Sequence, residues 1–143
     1  IKIKKTILID KKKKKNFGKK PKIGVTGLNP HCESILKANE DKKIILPTIN
    51  LLKKKGYKID GPFAADTIFL KQNRVKYDVI LGMYHDQVLG PIKTLKEYDA
   101  INITLGLPFF RVSPDHGTNE KMVDKNLSNP LSLIRALEFL DKR

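Results

Sequence analysis

Five short segments of the chain carry the apolar residues expected of β-strands. Each is bounded by Gly, Pro, Asn, Asp or a run of Lys, which are typical strand boundaries. The last two segments are continuously apolar, which is typical of strands buried on both faces of a sheet. The predicted strands are residues 1–9, Lys22–Thr26, Tyr57–Asp60, Tyr77–Met83 and Ala100–Leu105.

Two longer segments place apolar residues at helical spacing instead. Glu40–Lys55 ends at Gly56, and Pro47 inside it can mark the first turn of the helix. A last helix is capped by Ser128 or Asn129 and carries Leu133, Ile134, Leu137 and Leu140 on one stripe. Asp66 is expected to cap a short helix that runs through Phe69.

Alternation of strands and helices predicts an α/β fold, with a three-layer parallel or mixed sheet flanked by helices. At 143 residues the chain has the size of one domain. We expect a single α/β unit over 1–143, in which 1–21 form a strand and a mobile Lys-rich loop and 22–143 carry the motifs. Because the chain opens at Ile1 in mid-pattern, we expect it to be a partial chain.

Charge first suggests a nucleic-acid binder, since the net charge is +14. Lys accounts for 25 of the 29 basic residues, however, and the chain lacks the Arg and interleaved aromatic residues that read and stack on bases. A solvated basic face explains the charge better. We expect no transmembrane segment or signal peptide, because no apolar run approaches the length that spans a bilayer. Cys32 is the only cysteine in the sequence, which fits a reducing cytoplasm.

The three histidines lie in polar patches beside predicted strands: His31, His85 and His116. Ligands of open α/β sheets bind at the carboxyl edge of the strands, so we expect the three to share that edge and form a chemical site. His31 and His85 are candidate ligands of a divalent metal; the alternative is a hydrogen-bonded loop histidine at each position. Asp86 can orient His85 or cap the next turn.

Cations and small residues supply further candidates. Lys93 and Arg111 lie near apolar strands and can bind a phosphate or carboxylate, although each can equally be a surface charge. Asp115–Thr118 combines Gly with small polar residues, as in a nucleotide contact or a plain turn. Leu105–Phe110 is expected to pack in the core.

Several motifs, taken together in order and spacing, closely resemble the 4-hydroxythreonine-4-phosphate dehydrogenase family, from about Lys22 to the C-terminus. The motifs are Gly27–His31, Ala65–Thr67, Met83–Gln87, Ile101–Arg111 and Asp115–Thr118. The resemblance implies the C-terminal portion of such an enzyme, with a fold similar to isopropylmalate dehydrogenase. It also implies a cytoplasmic homodimer.

The activity implied by this resemblance is NAD(P)-dependent oxidation of 4-phosphohydroxy-L-threonine, with decarboxylation, in pyridoxal phosphate (vitamin B6) biosynthesis. The implied cofactors are NAD or NADP and a divalent metal, which can be Zn, Mg or Co. The implied partner is a phosphorylated amino-acid substrate. From the composition we expect no nucleic-acid or membrane partner.

Positions that match the family's motifs imply roles for eight residues. The resemblance implies metal binding by His31 and His85, substrate binding by Lys93, Asn102 and Arg111, and, more loosely, nucleotide binding by His116, Gly117 and Thr118. It leaves the catalytic acid or base unassigned.

Two departures from the family keep alternatives open. The upstream part of the family, with a further metal-binding histidine and a His-Thr substrate pair, is missing here, and residues 32–36 replace a glycine-rich stretch. The chain is therefore also compatible with a paralogue that acts on threonate or erythronate 4-phosphate, or with an inactive fragment.

Overall fold

A computed structural model describes residues 20–32, 39–117 and 120–141. They divide into two compact units, with the boundary between Pro91 and Ile92. The single α/β unit expected from the sequence stays a prediction. The predicted first strand and nearly all of the Lys-rich loop lie outside the described residues. No helix in the described ranges is both long and apolar enough to cross a membrane.

The first unit is built on a three-stranded parallel sheet. Its strands are β1 (Lys22–Thr26), β2 (Lys58–Phe63) and β3 (Val79–Leu81). Their order is β2-β1-β3, so β1 is central and Ile23 pairs with residues of both neighbours. Lys22–Thr26 is confirmed as predicted, whereas β2 extends further and β3 is shorter than the sequence indicated.

Helical segments lie between these strands and after the last of them. The predicted helix over Glu40–Lys55 starts as a π-helical segment before it becomes α-helical, with Pro47 in the first turn of the α-helix. The prediction that Asp66 caps a helix is wrong, because the helix begins after Ala64 and Asp66 lies within its first turn. The segments are the π-helical segment (Asp41–Ile45), α1 (Leu46–Lys54), α2 (Ala65–Ile68), α3 (Lys71–Arg74) and α4 (Asp86–Lys96).

The core lies between β1 and α1. Val25 and Ile49 are 0% and 1% exposed, and Ile23, Ile45, Leu52 and Ile59 complete the cluster. On the opposite face of β1, an added Cβ at Gly24 would lie 3.0 Å from Tyr77 and 3.1 Å from Ile68 of α2, so this glycine permits close packing. Helices therefore cover both faces of the sheet, and the predicted α/β architecture with a parallel sheet is confirmed.

The second unit is a β-hairpin packed against a helix. Strands β4 (Ile101–Thr104) and β5 (Arg111–Pro114) are antiparallel, and α5 (Leu131–Asp141) packs on both. A short 3₁₀ turn spans Glu120–Met122. Asn129 accepts a hydrogen bond from the Leu131 backbone N–H at 3.0 Å, which selects Asn129 over Ser128 as the residue that caps α5.

The hydroxyl of Ser132 links the two ends of this hairpin to α5. It is fully buried, accepts a hydrogen bond from the Asp115 backbone N–H at 2.7 Å, and donates to the Ala100 carbonyl oxygen. Ala100 directly precedes β4 and Asp115 directly follows β5. The Ser132 hydroxyl therefore provides a hydrogen-bond partner for one backbone group next to each strand.

The expectation that Leu105–Phe110 packs in the core is wrong. The segment connects the two antiparallel strands, and Leu105, Phe109 and Phe110 are 54%, 63% and 50% exposed. Gly106, in this loop, has φ +93°, a backbone conformation that glycine adopts readily and other residues rarely do. The continuous apolar run at residues 105–110 is therefore a loop between two strands and not a buried strand or helix.

Candidate active site

Two loops at the carboxyl edge of the parallel sheet carry His31 and His85. Strands β1 and β3 are neighbours and run parallel, so the segments that follow them leave the sheet at the same edge. His31 lies in a turn closed by a hydrogen bond of 3.1 Å from the Cys32 N–H to the Asn29 carbonyl oxygen. Both histidines are exposed, so both rings are open to a ligand.

Asp86 contacts His85 directly. Its Oδ1 lies 2.7 Å from Nδ1 of the imidazole. Since a carboxylate oxygen accepts, this contact favours the tautomer with the proton on Nδ1 and leaves Nε2 as the free ligating atom. Of the two roles open for Asp86 in the sequence, the geometry favours orientation of the ring.

A buried carboxylate holds the loop that leads to His31. Asp41 is 1% exposed, and it accepts hydrogen bonds from the Leu28 N–H at 2.6 Å and from both the backbone and the side-chain N–H groups of Asn29 at 3.0 and 2.9 Å. Sequence reasoning missed Asp41, because an acidic residue before an apolar stripe is also typical of any helix start.

A buried amide links the same loop to the one that carries His85. Gln87 is 6% exposed; its Nε2 donates to the Gly27 carbonyl oxygen at 2.7 Å. Its Oε1 accepts from the Met83 N–H at 2.8 Å and from the Thr26 hydroxyl at 2.7 Å. The sequence motif included Gln87, but nothing in the sequence showed that it faces inward.

The donors at this edge fit part of a divalent-metal site. Imidazoles are common ligands of borderline divalent cations, and a catalytic site usually takes three protein ligands. Within residues 20–32, 39–117 and 120–141, no group of three or more His, Cys, Asp and Glu side chains is arranged to hold a metal ion. His31 and His85 can therefore supply two ligands, and a further donor has to come from outside this set.

In the second unit, two predicted substrate-binding residues share one face of the hairpin. Asn102 pairs with Ser113 and Thr104 pairs with Arg111, so these four positions point to the same side of the ribbon. Asn102 and Arg111 are exposed, and Arg111 Nη1 donates to the Thr104 hydroxyl at 2.8 Å. This face can present a guanidinium and an amide to one anionic ligand.

Lys93 and the segment after β5 are the remaining candidates in this unit. The Lys93 ammonium lies 3.2 Å from Asp115 Oδ2, and the lysine side chain is 39% exposed. His116 follows β5 of the antiparallel hairpin, so the expectation that the three histidines share the carboxyl edge of one sheet is wrong. His116 and Gly117 are exposed, and a Cβ added at Gly117 would meet no atom of the described residues within 4 Å. Thr118 lies outside the described residues. The eight assigned roles stay predictions.

Comparison with known proteins decides the family. Residues 2–140 match the family described as "Pyridoxal phosphate biosynthetic protein PdxA". The chain belongs to the PdxA family. The resemblance inferred from the motifs is thereby confirmed over nearly the whole sequence.

PdxA relatives and solved structures agree with this membership. A 4-hydroxythreonine-4-phosphate dehydrogenase of Xanthobacter autotrophicus is 49% identical over 120 residues, which is 83% of this chain and 34% of the relative. One from Sulfurihydrogenibium sp. is 47% identical over 140 residues, which is 96% of this chain and 42% of the relative.

Among solved structures, one from Salmonella typhimurium assigned to the same dehydrogenase is 37% identical, with a TM-score of 0.74. It covers 94% of this chain, which in turn covers 41% of that structure. The chain thus spans less than half the length of the PdxA proteins it matches.

Proposed function

We propose that this chain is the C-terminal portion of an NAD(P)-dependent, divalent-metal-assisted dehydrogenase that oxidises and decarboxylates 4-phosphohydroxy-L-threonine in pyridoxal phosphate biosynthesis. The observation that carries the proposal is that His31 and His85 lie in loops that leave neighbouring parallel strands at the same edge of the sheet. The names of the two relatives described above, both 4-hydroxythreonine-4-phosphate dehydrogenases, support the substrate and reaction.

His31 and His85 would hold the cation through ring nitrogens, with Asp86 keeping the His85 ring in one orientation. A bound divalent cation supplies Lewis-acid chemistry, by which it makes a substrate hydroxyl more acidic and stabilises negative charge as carbon dioxide leaves. The protein's own contribution is the placement of the two imidazoles at one edge, so that they approach one substrate from the same side.

Arg111, Asn102 and Lys93 would bind the anionic groups of the substrate. A guanidinium offers parallel N–H donors that match phosphate and carboxylate oxygens, and the neighbouring amide on the same hairpin face adds directional hydrogen bonds. Lys93 already pairs with Asp115, so the carboxylate would hold the ammonium in place while its exposed portion faces the ligand.

The nicotinamide cofactor would contact the segment of His116, Gly117 and Thr118. NAD⁺ or NADP⁺ would supply the hydride acceptor for the oxidation; the hydroxyl proton would pass to solvent, and the enolate left when carbon dioxide departs would take up a proton. The open space above Gly117 is compatible with a bulky ligand close to the backbone.

As further parts of this proposal, the protein is a cytoplasmic homodimer. The single Cys32 is compatible with a reducing compartment. Exposed apolar side chains on α5, among them Leu133 and Leu137 at 48% and 54%, are of the kind that subunit contacts cover.

Calorimetric titration of Zn²⁺ into this chain tests the metal part of the proposal. We expect saturable 1:1 binding that is lost in both His31→Ala and His85→Ala. The matched control is His116→Ala, which removes an exposed histidine from the other unit and should leave binding unchanged. Equal binding in all three variants, or loss in the His116→Ala control alone, would contradict the assignment.

Turnover tests the substrate. Reduction of NAD⁺ or NADP⁺ by 4-phosphohydroxy-L-threonine, compared with threonate and erythronate 4-phosphates, should favour the amino acid. Preference for a threonate or erythronate phosphate would identify a paralogue, and the absence of any turnover would identify an inactive fragment.

A further inference from the structure

Two buried polar side chains of the first unit have no role in the proposed reaction. Asp41 and Gln87 are almost completely buried, and both use their polar atoms to bind segments that follow strands. Burying an amide or a carboxylate is costly unless its hydrogen bonds are satisfied. An apolar residue at either position would avoid that cost. The presence of Asp41 and Gln87 therefore indicates that their hydrogen bonds have a role in the protein.

Gln87 joins two loops that are far apart in sequence. Its amide donates to Gly27, directly after β1, and accepts from Met83, two residues after the end of β3. The Thr26 hydroxyl, at the end of β1, also donates to the same oxygen. A single side chain therefore sets the spacing between the loop that leads to His31 and the loop that leads to His85.

The described hydrogen bonds of the Asp41 carboxylate all go to the loop that leads to His31. Three N–H groups of Leu28 and Asn29 converge on its carboxylate, and these residues lie two and three positions before the histidine. Hydrogen bonds to a charged acceptor are stronger than neutral ones. The carboxylate thus holds the loop to the start of the π-helical segment, which is itself packed into the core through Ile45.

We propose that Asp41 and Gln87 are positioning residues, which fix the two histidine loops relative to each other so that His31 and His85 meet one divalent cation in a preformed arrangement. This inference rests on the proposed function. Two loops held in place at folding need no ordering when the cation binds, so affinity is gained without any contact between these residues and the metal.

Zn²⁺ calorimetry on variants of the whole 143-residue chain tests the proposal. Gln87→Leu removes every hydrogen bond of the amide at similar volume, and Asp41→Asn replaces one acceptor oxygen by a donor. We expect each to weaken Zn²⁺ binding by about 10–100-fold, the range typical of residues that orient metal ligands. Gln87→Glu keeps an acceptor for Met83 but loses the donor to Gly27, so its affinity should fall between wild type and Gln87→Leu.

The chain offers a matched control at the other end of β1. Asp78 accepts a hydrogen bond of 2.8 Å from the Lys22 backbone N–H, so Asp78→Asn disturbs a comparable carboxylate–backbone contact away from the histidines. Its Zn²⁺ affinity should equal that of wild type. Circular dichroism and urea unfolding of each variant establish that the protein titrated is folded.

A metal-free readout separates failure of this inference from failure of the proposed function. Amide hydrogen exchange over residues 28–32 and 82–86 should accelerate in Gln87→Leu on both loops, in Asp41→Asn chiefly on the first, and in Asp78→Asn on neither. If wild type binds Zn²⁺ and both variants bind equally well, the positioning role is overturned while the metal site stands. If wild type binds no Zn²⁺, the exchange rates decide: unchanged rates overturn the positioning role, and accelerated rates sustain it.

Discussion

The loop that leads from β1 to His31 depends on the small size of Gly27. An added Cβ would lie 2.5 Å from Cys32 Sγ and 3.1 Å from Asp41 Oδ1, so a side chain would displace the residues that shape the turn. We expect Gly27→Ala to lower the free energy of unfolding by about 1–3 kcal/mol, as overpacking typically does. Urea denaturation measures it.

Two further variants serve as controls for Gly27→Ala. Gly117→Ala adds a methyl group where no atom of the part described by the structure lies within 4 Å, so it should change stability by less than about 0.5 kcal/mol. Cys32→Ala combined with Gly27→Ala should recover part of the loss, because the sulfur is the nearest obstacle. A harmless Gly27→Ala would mean that the loop adjusts freely.

Tyr77 gives stability a dependence on alkaline pH. Burial raises the pKa of its phenol above the ordinary 10.0; the carboxylate of Asp60 adds to the rise, and Lys53 opposes it. The folded state thus favours the neutral phenol. Its stabilising contribution is present below pH 10 and is lost as the pH rises through the folded-state pKa.

Unfolding measured at a series of pH values above 10 checks this expectation. The free energy of unfolding of wild type should fall more steeply than that of Tyr77→Phe, which has no proton to lose. Parallel curves would show that the phenol titrates alike in both states.

At the scale of single elements, Ser132 connects the hairpin to its helix. Ser132→Ala leaves a buried N–H at Asp115 and a carbonyl oxygen at Ala100 without their partner, so it should cost about 1–3 kcal/mol in unfolding free energy. Faster amide exchange within β4 and β5 should accompany the loss. Ser128→Ala, at an exposed position before the same helix, should have little effect on either measurement.

The sequence predicted those helices and strands whose residue pattern alone defines them. It did not predict those that depend on hydrogen bonds to a partner strand. Lys22–Thr26 and the helix that contains Pro47 follow from composition and turn residues alone. Strand β5, Arg111–Pro114, was missed because its alternating polarity is short and its partner β4 supplies the hydrogen bonds that define it. The π-helical segment likewise has no local signature that distinguishes it from an α-helix.

The same division holds for the candidate site. The histidines, Asn102 and Arg111 belong to motifs that are visible in sequence. Asp41 and Gln87 became apparent only once the structure showed them buried and bonded to other segments. The bonds to those segments join residues 12 to 61 positions apart, and such distant pairs leave no periodicity in the sequence.

At the scale of the whole molecule, the exposed apolar surface predicts self-association. Leu133 and Leu137 lie one helical turn apart on α5 and are about half exposed, while Ala136 faces the hairpin. The mass measured by sedimentation should therefore rise above 16.3 kDa as the concentration increases. Leu133→Lys combined with Leu137→Lys should suppress the rise, whereas Val75→Lys, also exposed, should not. A constant monomer mass for wild type would contradict the expectation.

The pairing of β4 with β5 restricts insertions and deletions more than it restricts substitutions. Asn102 and Arg111 share a face only because the number of residues between them keeps Thr104 opposite Arg111. If a residue added to the loop shifted the pairing by one, Arg111 would point to the opposite side from Asn102 and toward the helix. We therefore expect the loop length to vary among relatives only in ways that keep Asn102 and Arg111 on the same face of the hairpin, whatever side chains the loop carries.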